Sequence, residues 1–286
     1  MAPKIVVVTG ANFGIGFEAV KAFLQSPNSY HVYLGSRSVE KGTQAIEQLR
    51  AQCPQTKNTV ELLQVDLGSD ASIEKAFEKV KNGPGHVDVL INNAGMYNFR
   101  FKMRPDGLLT RSFRRRLRPR LPPGQDEPAG LLQPGLRRQR RGYQRHDLEL
   151  HPPAAQVHHH PAHPLPGGPV ADDGGGRGPY FPTPPLAAGW PKKDISFETI
   201  GYRCSKTALS MLMLDWNHKL QADGVKVFSV SPGFCATGLG GLPEEMTKAM
   251  GAVHPSEGGQ RLIAVAEGKR DADAGKILDK EGFIPW

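Results

Sequence analysis

Ile5-Val6-Val7-Val8-Thr9-Gly10-Ala11-Asn12-Phe13-Gly14-Ile15-Gly16 is the stretch on which the fold turns. Four β-branched residues in a row read as a strand covered on both faces. Glycines follow at 10, 14 and 16, and behind them Ile15, Ala19, Ala22 and Phe23 recur at helical spacing. Strand, glycine turn and helix in that order open a βαβ unit. Such a turn lets backbone N–H groups approach a phosphate at the positive end of the helix. A glycine turn that holds no ligand is the alternative reading of the stretch alone.

Outward from this stretch the pattern repeats. Strands are expected at Ile5 to Val8, His31 to Leu34, Val60 to Val65 and Val87 to Ile91. Between them, helices are marked by Ala45, Ile46 and Leu49, and by Ile73, Ala76, Phe77 and Val80. Beyond Asp194 a long helix can be drawn through Leu209, Leu212, Met213, Trp216 and Leu220, then a strand at Val225 to Val230 and a last edge strand at Gly275 to Leu278. The fold class is therefore α/β, a Rossmann-like, doubly wound parallel sheet. Its halves are expected at residues 1–103 and 192–286, one domain split by a segment at 104–191.

That segment shows no sustained period of 2 or 3.6. It holds 17 of the 25 prolines and six of the ten histidines, no lysine, and no serine or asparagine after Ser112. Natural disordered linkers favour Ser, Lys and Glu, whereas Arg, Pro, Gly, Ala and His without Lys or Asn is what GC-rich coding sequence yields out of frame. A frameshift or retained intron between about Met103 and Trp190 accounts for it. The segment is expected to be largely disordered, leaving the sheet disrupted at its centre. The strand before Val225 to Val230 is then missing and that strand has no neighbour on one side.

The formal net charge of +8 belongs mostly to this segment, which carries 13 arginines against seven acidic residues. The flanks are nearly neutral. The arginine runs at Arg114 to Arg120 and Arg137 to Arg141 come with no aromatic platform, so no nucleic-acid partner is expected. His158, His159, His160 and His163 lie among prolines without a carboxylate or cysteine at ligand spacing, so no metal is expected. Cys53, Cys204 and Cys235 are odd in number and far apart, which points to a reducing compartment. No signal sequence or membrane span is read, and a cytoplasmic protein is expected.

Three more motifs stand in order along the chain. Asn92-Asn93-Ala94-Gly95 follows the fourth strand, Tyr202-Arg203-Cys204-Ser205-Lys206 opens the long helix, and Pro232-Gly233-Phe234-Cys235-Ala236-Thr237 follows the strand after it. Tyr202 and Lys206 stand at i and i+4, on one helix face. An ammonium there favours the phenolate and brings the tyrosine closer to working pH, and an exposed helix pair without chemistry is the alternative.

With the TGxxxGxG turn, these motifs resemble the short-chain dehydrogenase/reductase family over about residues 4 to 103 and 192 to 286. The resemblance implies a nicotinamide-dependent oxidoreductase of the carbonyl-reductase kind, acting on a small carbonyl or alcohol. It assigns Tyr202 as acid/base and Lys206 as its partner, which also holds the nicotinamide ribose. It assigns coenzyme contacts to Gly10, Asn12, Gly14, Ile15 and Gly16, to Asn93, Ala94 and Gly95, and to Pro232, Gly233 and Thr237. Asp66 is given the adenine amino group and Leu67 the ring beside it, although Asp66 also precedes a helix it could help begin.

At the end of the second strand, where an enzyme of NAD carries a carboxylate, the chain reads Gly35-Ser36-Arg37-Ser38. Arg37 is suited to a 2′-phosphate, so NADP(H) is the expected coenzyme, with a solvated surface arginine as the plain alternative. The family's catalytic serine and helix asparagine find no counterpart. Ala188, Gly189 and Trp190 stand near the serine's place, and Ser196 is on no recognisable strand. An impaired enzyme is expected. A nucleotide-binding pseudoenzyme and an Arg-rich interaction protein are the rival readings, and the substrate and oligomeric state stay open.

Overall fold

The computed structural model describes residues 2–95, 100–103, 109–112, 155–159, 188–189, 200–239, 243–280 and 282–284, of which 100–103, 109–112, 155–159 and 200–203 are described as backbone only. The helices are α1 (Gly14–Gln25), α2 (Val39–Gln52), α3 (Asp70–Asn82), α4 (Ile200–Leu220), α5 (Glu244–Ala249) and α6 (Pro255–Ala266). The main sheet is built from β1 (Lys4–Val8), β2 (Tyr30–Ser36), β3 (Thr59–Gln64), β4 (Val89–Asn92), β7 (Ala155–His159), β8 (Val227–Val230), β9 (Ile277–Leu278) and β10 (Phe283–Ile284). A separate antiparallel pair joins β5 (Arg100–Met103) to β6 (Leu109–Ser112).

In the sheet the strand order is β10-β9-β8-β7-β4-β1-β2-β3, and every pairing but the last, β9 with β10, is parallel. From β1 the chain winds outward through β2 and β3, then returns to place β4 on β1's other side. The direction of winding therefore reverses between β1 and β4, and a crevice opens at their carboxyl ends.

Helices cover both faces, which explains the unbroken apolar runs of β1 and β4. On one face Val6, Val8, Val32, Leu34, Ile91, Phe228 and Val230 meet α1, α2 and α6. On the other, Ile5, Val7, Leu63 and Leu90 meet α3, and Val227 and Ile277 meet Leu209, Met213 and Trp216 of α4. Helices α1 and α6 touch backbone to backbone, since a Cβ on Gly259 would stand 2.6 Å from the Glu18 carbonyl carbon.

One expectation is corrected. The place between β4 and β8 is not empty, because Ala155–His159 occupies it and pairs in parallel with both neighbours. Any extended chain can satisfy a backbone ladder, whatever its side chains. Leu109–Ser112 of the same segment forms β6 and 188–189 are described, while the disorder expected for the rest of 104–191 concerns residues outside those described.

Candidate active site

At the carboxyl end of β1, Thr9 is the centre of a hydrogen-bond network. Its Oγ1 donates to the Ile91 carbonyl at 3.3 Å and accepts from the N–H groups of Asn93 and Ala94, both at 3.1 Å. The Asn93 side chain in turn donates to the carbonyls of Thr9 and Gly10, each at 3.0 Å. The Asn93 amide thus braces the glycine turn from the β4 side. Gly10 lies at φ +63°, and a Cβ there would stand 2.8 Å from Ala94 Cα; one on Gly16 would stand 2.4 Å from Asn93 Nδ2. The first and third glycines are spacers that let the two strand ends approach.

The turn delivers an α1 whose first residues lack a cap. Phe13 offers no side-chain bond, and the first turn holds no acidic residue. By contrast, Ser38 caps α2, Ser69 caps α3 and His254 caps α6. An uncapped helix N-terminus at a strand crevice has N–H groups and a positive dipole end to offer an anion. Asn12 is half-buried beside it and Phe13 is exposed.

Beyond β2, Ser36 is buried and donates to the Ser38 carbonyl at 2.9 Å, while Arg37 is exposed. Asp66 is also exposed, with Oδ1 accepting from Gly68 N–H at 2.9 Å and its own N–H donating to Ser72 Oγ at 2.9 Å. Asp66 therefore helps to shape the turn into α3. Leu67 packs partly against the α3 core.

The glycine turn and the other motifs meet at this end of the sheet. Thr237 lies over the glycine turn, where its Cγ2 is 3.4 Å from the position of a Cβ on Gly14. Pro232 is buried and Gly233 adopts φ +83°. On α4, Tyr202 stands one turn before Lys206. Lys206 is 7% exposed, and its Nζ lies 3.9 Å from the position of a Cβ on Gly95, so the long helix meets the end of β4 here. Burial lowers the Lys206 pKa from 10.5 to about 8.

Trp190, Ser196, His160 and His163 lie outside the described residues, as do the arginine runs. Ala188 and Gly189 are exposed, and His158 and His159 are on β7. Among the described residues no three His, Cys, Asp or Glu side chains gather to hold a metal, and no helix is long and apolar enough to cross a membrane. The sequence reading missed two positions. Thr9 is the network's hub, and Gly35 lets β2 close on β1, since a Cβ there would stand 2.8 Å from the Val8 carbonyl oxygen. A glycine inside a strand pattern is the signal for such an approach.

Comparison with known proteins agrees with this geometry. Residues 4–111 match the family described as short chain dehydrogenase. The short-chain dehydrogenase/reductase tropE of Talaromyces stipitatus is 34% identical over 98% of this chain and 97% of its own length. Among solved structures, the NADPH-bound carbonyl reductase from chicken fatty liver superposes with a TM-score of 0.61 at 19% identity, over all of both chains. A 3-ketoacyl-(acyl-carrier-protein) reductase from Brucella melitensis complexed with NADH gives 0.62 at 16% identity, over 96% of each chain. The chain belongs to the short-chain dehydrogenase/reductase family. It is by family an oxidoreductase that uses a nicotinamide coenzyme and a small-molecule substrate.

Proposed function

We propose that this protein is an NADP(H)-dependent reductase or dehydrogenase of small carbonyl or alcohol substrates, built in the cytoplasm as a single split domain. The observation that carries the reading is the meeting of Lys206, Gly95, the glycine turn and Thr237 at one end of the sheet. In this reading Gly10, Asn12, Gly14, Ile15 and Gly16 receive the pyrophosphate at the uncapped start of α1. Arg37 takes the 2′-phosphate, Asp66 and Leu67 border the adenine, and Asn93 to Gly95, Pro232, Gly233 and Thr237 line the nicotinamide half.

The coenzyme supplies or accepts a hydride when bound. Tyr202 gives its phenolic proton to the substrate oxygen as the carbonyl carbon is reduced, and takes it back in the reverse direction. Lys206 holds positive charge beside the tyrosine and stabilises its phenolate. NADP(H) rather than NAD(H) is supported by Arg37 and by the absence of a carboxylate in Gly35 to Ser38. The fold does not decide it, since the structural neighbours include one bound to NADPH and one to NADH.

This chain is expected to turn over slowly. In the sequence no serine stands where the family places the donor to the substrate oxygen, Ala188, Gly189 and Trp190 being found there, and losing one preorganised donor costs about 100- to 1000-fold in rate. The same absence favours a second reading, a nucleotide-binding protein without turnover. Both are tested by following NADPH oxidation with a panel of aldehydes, ketones and quinones. The chain is run beside a version whose residues 104–191 are translated in the restored frame. Fast turnover by the restored version and a trace from this chain is expected; equal rates would show that another group does the serine's work.

A further inference from the structure

We propose that Arg261 on α6 is a positioning residue for the coenzyme, fixing the loop Ser231 to Gly233 from behind. The proposal rests on the reading of the site given above. Arg261 is well outside the motifs, 24 residues past Thr237, yet its guanidinium reaches the loop. Nη1 donates to the Ser231 carbonyl at 3.2 Å, and Nη2 lies 3.6 Å from Glu257 Oε2 on the same helix. The side chain is 18% exposed, so the hydrogen bond is largely screened from water.

The loop is tied to the rest of the fold on both sides of Pro232 and Gly233. Downstream it is already tied, because Ala236 N–H donates to the Val253 carbonyl and Val253 N–H to the Phe234 carbonyl, both at 2.8 Å. Upstream, Ser231 N–H donates to the Leu278 carbonyl at 2.7 Å and so belongs to the sheet. Between these ties the chain leaves β8 through Pro232, which has no N–H to give, and Gly233, which bends at φ +83°. There the Cys235 thiol offers one weak bond, Sγ to the Pro232 carbonyl at 3.4 Å.

Arg261 reinforces the upstream end of this stretch with a charge-assisted hydrogen bond to the Ser231 carbonyl. Its Nη1 stands 3.3 Å from where a Cβ on Gly233 would be, so glycine and guanidinium fit each other. The helix that carries Arg261 also braces the glycine turn's helix. A Cβ on Gly258 would meet Pro232 Cβ at 3.0 Å and Ile15 Cγ2 at 3.1 Å. One rigid element therefore sets the spacing between the two walls of the site, α1 and the 231–237 loop. Displacements well under a hydrogen-bond length matter at such a site.

The test uses the full chain with Arg261→Met, which keeps the apolar stem, and Arg261→Lys, which keeps a charge. Two quantities are read: amide hydrogen exchange at Ser231 and Ala236, whose N–H groups are bonded at 2.7 and 2.8 Å, and NADPH affinity from nicotinamide fluorescence. In Arg261→Met, exchange at these amides should quicken about tenfold and the NADPH Kd should rise about tenfold, while exchange in β1 to β3 stays unchanged. Arg261→Lys should fall between.

Unchanged exchange, or faster exchange with unaltered NADPH affinity, overturns the proposal. If the unmodified protein binds neither NADPH nor NADH, the functional reading fails separately. In that case the coenzyme role of Arg261 falls with it, whatever the exchange rates.

Discussion

Asn92 and Asn93 are adjacent in the chain and live in opposite circumstances. Asn93 donates both to the Thr9 and to the Gly10 carbonyl. Asn92 is 4% exposed, and its side-chain nitrogen has no partner among the described residues. Ser229 Oγ, fully buried, is the other such atom among the described residues. Both orphans border one point: Asn92 pairs in register with His158 on β7, and His158 pairs with Ser229 on β8. Asn93 works within the patterned half of the sheet, whereas Asn92 and Ser229 flank a strand drawn from the stretch without a period. Backbone pairing accepts almost any extended segment, while a buried side-chain amide or hydroxyl requires a particular partner.

Four expectations press on that contrast. The largest concerns the chemistry. With residues 104–191 restored in frame, Tyr202→Phe should cut NADPH oxidation by about 100- to 10,000-fold, the range of a positioned acid/base group. In the present chain the same substitution should change the trace rate little. A comparable loss in both would mean that the aperiodic stretch costs the site nothing.

Stability should divide the same way. Asn93→Ala strands two carbonyls and should lower the unfolding free energy by about 2 to 3 kcal/mol in urea. Lys206 comes next. Its folded pKa, about 8, lies below the 10.5 of the exposed side chain, so between those values the unfolded chain binds more protons. The Lys206 contribution to stability should be flat below about pH 8 and rise by about 3 kcal/mol toward pH 10.5. Lys206→Met should remove the slope, and a slope that survives the substitution would assign it to other groups. The smallest effect belongs to Ser229→Ala. It discards an unpartnered hydroxyl and should leave stability level or raise it by up to about 1 kcal/mol; a loss of 2 kcal/mol would show that the hydroxyl has a partner after all.

The same contrast explains what could be read in advance. Strands β1 to β4 and helices α1 to α3 were legible because short apolar runs alternate with apolar residues at helical spacing, while the caps Ser38 and Ser69 that begin two of the helices were not read. Boundaries moved slightly: the strand drawn from Val225 begins at Val227, since Val225 packs with the α4 cluster before the ladder starts. The glycine turn was legible from motif spacing, whereas Lys206 and Gly95 were assigned to the coenzyme separately by the resemblance and their contact was not foreseen. Thr9's central place was not, because a threonine ending a strand carries no period of its own. Nor was β7, where an extended backbone fills a gap that no side-chain pattern announces. Arg261 escaped notice because its contact with Ser231 depends on how α6 returns across the sheet.

The central claim, that the two patterned halves still build a coenzyme site selective for the 2′-phosphate, is met most directly by one titration. NADPH and NADH are added in turn to the unmodified chain and to Arg37→Asp, and binding is followed by nicotinamide fluorescence. The unmodified chain should bind NADPH at least about tenfold more tightly than NADH, and Arg37→Asp should erase or invert that preference. Superimposable curves for the two coenzymes on the unmodified chain, or no binding of either, would contradict the account.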